Sequence, residues 1–168
     1  MRVLPLLGLL VLPIFGAACR SEAPPLPTAE APAEPIRLTA AAMGQLRWLE
    51  GDWQGSGIDQ PPFYEGYRFV NDSTIRSVTY RDSTRTQVAD SGRVVLVDGV
   101  LTSGSSGTRW AATILDADRV HFAPQEGARN AFTWERTSDS TWTATLRWPG
   151  ENGQPGRERV YYMVRMRP

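Results

Sequence analysis

Two periods divide the chain. Between residues 38 and 49 the apolar side chains Met43, Leu46 and Leu49 recur at a spacing of three, one stripe along a short helix, with Thr39 placed to cap its start and Gly51 to stop it. From Asp52 onward, short β-prone runs alternate with turn residues at intervals of about ten positions. The breaks include Asn71-Asp72-Ser73, Asp90-Ser91-Gly92, Asp98-Gly99, Asp116-Ala117-Asp118 and Ser138-Asp139-Ser140, all turn-forming by their side-chain hydrogen bonds or by glycine. They predict strands over 52–58, 62–70, 74–81, 85–89, 93–98, 100–103, 108–115, 119–123, 130–137, 141–148 and 157–166. No long segment of helical period remains to carry a parallel crossover, so the strands connect as hairpins in an antiparallel sheet. Such a meander removes its exposed edges most simply by closing. The expected fold is all-β: a single antiparallel up-and-down barrel of about 8–10 strands behind a short N-terminal helix.

Alternation within the strands marks candidate inward faces. Phe63, Glu65, Tyr67 and Phe69 share one face, Trp142, Ala144, Leu146 and Trp148 another, and Val160, Tyr162, Val164 and Met166 a third. These faces are expected to form a core or a cavity.

The front of the chain has neither period. An early Arg2, an apolar run over 3–15 and the small residues Gly16, Ala17 and Ala18 before Cys19 read as a secretory leader, the run being too short and too broken by Pro5 and Pro13 for a durable membrane span. Residues 21–36, SEAPPLPTAEAPAEPI, are rich in Pro, Ala and Glu and read as an extended, solvated tether. At about 3.1 Å per residue it would hold a domain roughly 50 Å from its attachment. The expected organisation is a leader over 1–18, a tether over 19–36 and one barrel domain over 37–168.

Composition excludes several functions. The 18 basic and 18 acidic residues cancel, which implies no nucleic-acid partner. Every basic residue is arginine, as a GC-rich genome would produce. The single cysteine rules out an internal disulfide and any multi-cysteine metal site.

Three resemblances follow from these residues. Gly16-Ala17-Ala18-Cys19 resembles the bacterial lipoprotein box, with Gly16 where an aliphatic residue is usual; the resemblance implies lipidation of Cys19 and a membrane anchor, and Arg20 after it implies the outer membrane, facing the periplasm. Gly51-Asp52-Trp53 resembles the Gly-x-Trp signature of lipocalins and the wider calycin barrels, which implies that Trp53 plugs one end of the barrel under a late arginine, here Arg165. The middle Thr-Asp-Tyr signature of lipocalins is missing. The longer run from Trp48 through Gly55, with Tyr64-Glu65-Gly66-Tyr67 and Phe132-Thr133-Trp134-Glu135-Arg136, resembles an uncharacterised bacterial family of lipocalin-like exported domains. That likeness implies a fold and no activity, and residues 126–132 lack the His-Asp-Phe-Pro-like run often seen there. The opening Gly51-Asp52-Trp53-Gln54-Gly55-Ser56-Gly57 also resembles nitrobindin-type haem barrels, but their haem histidine lies near the C-terminus. Here the one histidine, His121, lies in an earlier strand, so no cofactor is expected.

Little catalytic chemistry is framed. His121 has no nucleophile motif beside it and too few companions for a metal site, and alternation sets it opposite Val120 and Phe122, on the surface or rim. No enzyme activity and no metal are expected. Glu65, between Phe63 and Tyr67 on an apolar face, is an unusual place for a carboxylate; it needs a partner, for which Arg76 or Arg68 across the hairpin are candidates, and serves either as an anchor for a ligand head group or as half of a buried ion pair. Arg81, Asp82, Arg85, Asp116 and Asp118 read as solvated turn charges. The expected function is a membrane-tethered, monomeric barrel that takes a small, partly apolar ligand among Glu65, Tyr67, Arg76, Tyr80, Trp110 and Trp134. The alternative is an envelope structural or protein-interaction lipoprotein with a solid core.

Overall fold

A computed structural model of the chain describes residues 33–105, 107–151 and 153–167. The expected leader over 1–18, the lipidation residue Cys19 and most of the tether lie outside the described residues. The first regular element, Ala40–Leu49, is a 3₁₀ helix, and its period of three residues is the spacing of Met43, Leu46 and Leu49, which are all buried. Thr39 makes no side-chain cap; its carbonyl accepts instead from the Ala42 N–H at 3.0 Å.

Ten strands follow: β1 (Gly51–Gly57), β2 (Gln60–Asn71), β3 (Thr74–Tyr80), β4 (Val88–Val97), β5 (Val100–Ser105), β6 (Thr108–Leu115), β7 (Arg119–Pro124), β8 (Ala131–Arg136), β9 (Thr141–Trp148) and β10 (Arg157–Arg165). Each pairs antiparallel with its sequence neighbours, and β1 pairs β10, so the meander closes into a barrel. The expected barrel and its preceding short helix are both present.

One boundary differs. The sequence predicts a turn at Asp90-Ser91-Gly92 between two strands, whereas β4 runs through it, with Thr79, Val78 and Ser77 of β3 pairing Asp90, Ser91 and Gly92. The chain reverses earlier, at Asp82-Ser83-Thr84-Arg85. There the Asp82 carboxylate accepts from the Thr84 N–H at 2.8 Å and Arg85 adopts φ 59°, so the loop is already closed and the polar triplet is free to serve as an exposed stretch of ladder.

The face assigned to β10 is also reversed. Residues directly opposite on paired strands share a face, and Trp53, buried, pairs Arg165 while buried Gly55 pairs Met163. Arg165, Met163 and Tyr161 therefore point inward. Tyr162 and Val164, expected inside, are 57% and 52% exposed.

The interior is filled at the helix end. Met43, Leu46 and Leu49 pack with Ile75, Val94, Leu101, Ala112, Val120 and Phe122 from the strands. Trp53 closes this end: its indole N–H donates to the Leu49 carbonyl at 2.7 Å and the Arg165 guanidinium lies 4.2 Å from its ring centre. Arg165 also donates to the carbonyls of Glu50 (2.6 Å), Trp48 (3.0 Å) and Asp139 (3.2 Å), tying the end of β10 to the helix and to the β8–β9 turn. Gly51 has to be glycine here: its φ is +139°, and a Cβ would collide with the Arg165 side chain.

Candidate functional site

The helix joins β1 at Gly51, so the hairpin from Gly57 to Gln60 lies at the other end of the barrel. There the interior is not filled. A cavity of about 560 Å³ opens among the inward side chains of β2, β6 and β8–β10. β9 shows how the two halves meet. Trp142 packs edge-on against Trp48 and Trp53 of the closed end, at 6.0 and 5.9 Å between ring centres, and is also a wall of the cavity. Two residues on, the wall narrows to Ala144, and then comes Leu146. The small side chain of Ala144 leaves room where a large residue would complete the core.

The remaining wall is mostly aromatic: Phe63, Tyr67, Trp110, Phe132, Trp134 and Tyr161. Edge-to-face contacts brace these rings, with Tyr67 to Trp134 at 5.6 Å, Trp110 to Phe132 at 5.7 Å and Phe63 to Tyr161 at 5.3 Å. Gly55 gives the Phe63 ring its seat, since a Cβ there would run into that ring. The Trp110 indole is held by the Asn130 carbonyl at 2.7 Å.

Polar groups in the wall are few. Glu65 is half-buried on β2, inward because it pairs Trp53 on one side and Thr79 on the other. The buried Tyr67 hydroxyl donates to its Oε2 at 2.8 Å. Burial pushes the Glu65 carboxyl above its ordinary range, with the Tyr67 hydrogen bond opposing the shift, and burial beside Glu65 drives the Tyr67 phenol well up. Gln60, Thr79 and Asn130 add neutral groups, and the buried Trp142 Nε1 has no hydrogen-bond partner among the described residues.

Of the six residues expected around a ligand, Glu65, Tyr67, Trp110 and Trp134 line the cavity. Arg76 and Tyr80 do not: they pair Arg68 and Tyr64, on the outward face of β2 and β3. Arg68 and Arg85 instead converge on the Asp52 carboxylate at 2.6 and 2.9 Å, joined by the Tyr80 hydroxyl at 3.4 Å. Arg85 is thus part of a half-buried ion-pair cluster on the outer wall, where the sequence suggested a solvated turn charge. Among the described residues no arginine pairs with Glu65, whose carboxyl is held by Tyr67. Phe63 and Trp142 were marked inward by alternation, whereas Thr79, Phe132 and Tyr161 enter the site through strand register and Asn130 from the loop before β8, for which the sequence carries no local signal.

His121 lies on the outer wall, its Nδ1 2.8 Å from the Thr133 hydroxyl. Partial burial, then the charges of Arg147 and Arg119, hold its imidazole below the usual range. The expected closing pair, Trp53 and Arg165, is in contact at the opposite end from the cavity.

No family model matches the chain, and no curated protein matches it. Among solved structures it is similar to a protein of unknown function from the DUF3598 family of Nostoc punctiforme, with 13% identity and a TM-score of 0.49 over 82% of this chain and 53% of that one. The chain thus spans about half the length of that protein, at 53%. It is also similar to EF1p2_mFAP2b bound to DFHBI, with 11% identity and a TM-score of 0.37 over 74% of this chain and 99% of that one. A redesigned β-barrel matches at 10% identity and a TM-score of 0.36 over 80% of this chain and 100% of that one. These are likenesses of shape.

Proposed function

We propose that this chain is a lipocalin-like carrier or sensor barrel that binds a small, partly apolar molecule in its open end. The observation that supports this reading most directly is the half-filled interior: a closed end packed around Trp53, and a cavity of about 560 Å³ walled by aromatic rings with a few convergent polar groups. That size and lining suit one small ligand, with apolar contact giving affinity and Glu65 with Tyr67 giving orientation. The wall is dominated by aromatic rings, and its one carboxyl, Glu65, is held by the Tyr67 hydroxyl, so the reading is binding. The lipoprotein-like Gly16-Ala17-Ala18-Cys19 adds a lipid anchor at Cys19 and an address on the outer membrane, facing the periplasm, with the barrel at the end of its tether.

The test is a titration of the purified protein with an environment-sensitive apolar dye, following dye emission and tryptophan quenching together. Saturable binding near one equivalent is expected, because Trp110, Trp134 and Trp142 all border the cavity. A linear, unsaturable response would overturn the reading. For the anchor, mass spectrometry of the Cys19 peptide from membranes is expected to show acyl chains; an unmodified cysteine would remove the membrane from the proposal.

A further inference from the structure

The charge of the cavity wall is one-sided. Glu65 is its only carboxyl among the described residues, and no arginine or histidine lines it; the chain contains no lysine. The arginines that might have compensated are engaged elsewhere, Arg68 and Arg85 on Asp52 and Arg165 on three backbone carbonyls. Among the described residues the only hydrogen bond to the Glu65 carboxyl comes from the Tyr67 hydroxyl, a neutral donor. A half-buried carboxylate without a cation is costly, and the site has the chemistry to accept one from outside. Tyr67, which holds Glu65, packs against the rings of Trp134 and Trp142, and Trp110 and Tyr161 stand in the same wall. Aromatic faces carry negative charge density and attract ammonium groups, most strongly when the site is screened from water.

We propose that the cavity selects a cationic ligand, an apolar amine or ammonium whose head group pairs with Glu65 among the tryptophan and tyrosine rings and whose apolar body lies against Leu146, Phe63 and Phe132. This rests on the cavity-binding reading above and names its ligand class. It also excludes one. A fatty acid or other carboxylate would place a second negative charge beside Glu65 with no arginine to neutralise either, so such ligands are rejected.

The experiment uses the purified protein and four probes of one chain length: decylammonium, decyltrimethylammonium, decanol and decanoate, each titrated at neutral pH with tryptophan quenching as readout. The two cations are expected to bind at least about tenfold more tightly than decanol, the size of one charge-assisted contact with cation–π support, and decanoate more weakly than decanol. In Glu65→Gln, which keeps the size of the side chain and its hydrogen bond with Tyr67, the cation preference is expected to shrink to within about threefold while decanol is unchanged. Should that variant not fold, the wild type answers through pH. Decyltrimethylammonium cannot itself titrate, and its affinity is expected to fall as Glu65 takes up a proton on acidification, with decanol flat. Beside Glu65 on its face stand Trp53 from β1, Tyr67 from β2 and Thr79 from β3, and Trp134, Trp142 and Tyr161 from β8–β10 line the same cavity; the nearest further carboxyl by register, Asp90 opposite Thr79, is exposed and does not line it. Decanol or decanoate binding as tightly as the cations, or a preference that survives Glu65→Gln, would overturn the proposal while leaving the cavity. Saturation by none of the probes would overturn both.

Discussion

The two ends of this barrel are built from the same strands by opposite rules. At the helix end the interior layer contains Trp53, Ile75, Leu101, Val120 and Phe122, sealed by three apolar residues of the helix, with the Trp53 indole held by Leu49 and the Arg165 guanidinium by three carbonyls. At the other end the wall keeps its aromatic rings but gives up filling. Ala144 stands where bulk would close the cavity, and a carboxyl, Glu65, is left without a cation. Closing the sheet requires only one well-packed layer with its end covered; the rest of the tube is then free to be shaped for something other than stability.

The largest effect that separates the ends is expected from Trp53→Ala, which removes the centre of the filled layer. It should cost about 3–5 kcal/mol by denaturant unfolding, enough to threaten the fold. Removing the tie above it comes next. Arg165→Ala leaves the carbonyls of Trp48, Glu50 and Asp139 without their donor and should cost about 2 kcal/mol, with dye binding retained by the folded protein. An unchanged midpoint would mean that the helix end is held by packing alone.

A matched pair of enlargements sharpens the contrast. Ala112→Leu adds bulk to the filled core and should destabilise by about 1–3 kcal/mol. Ala144→Leu adds the same atoms to the cavity, where there is space, and should leave stability within about 0.5 kcal/mol while abolishing dye binding. Equal costs at both positions would deny that the two ends differ.

The smallest effect is the pH dependence of Glu65. Burial raises its carboxyl above the unfolded value, so the folded state binds the proton more tightly than the unfolded chain. The stability this provides is fully present below the unfolded pKa and is lost as pH rises through the raised folded one. Glu65→Gln removes the loss, so its unfolding midpoint should gain on the wild type between acid and neutral pH; a difference independent of pH would show that Glu65 is solvated like an ordinary surface carboxylate.

The closing pair was legible without coordinates, because Trp53 follows a glycine at the first strand and Arg165 ends the last one, and a closed meander must bring first and last strands together. Glu65 and Tyr67 were legible too, since alternation with Phe63 marks their face within β2. Arg76 and Tyr80 were placed wrongly for a definite reason. The face of β3 relative to β2 depends on register, and pairing Arg76 with Arg68 and Tyr80 with Tyr64 sends both outward. β10 could be read either way, because Tyr161 and Met163 are as apolar as Tyr162 and Val164, and only the pairs with β1 decide between them.

By itself, then, the chain determined where most strands begin and turn, the start of β4 excepted, that they are antiparallel, and that the edges close: period, turn chemistry and connection length are local properties, and ten strands joined by short turns have few other arrangements. The tertiary structure decided which faces point inward and where filling stops. Period two says that alternate residues share a face and does not say which face. That choice, and with it the cavity of Ala144, Tyr161, Glu65 and the ring of tryptophans, is made by partners far apart in sequence, such as Gly57 with Tyr161 and Trp53 with Arg165, whose register only the closed barrel sets.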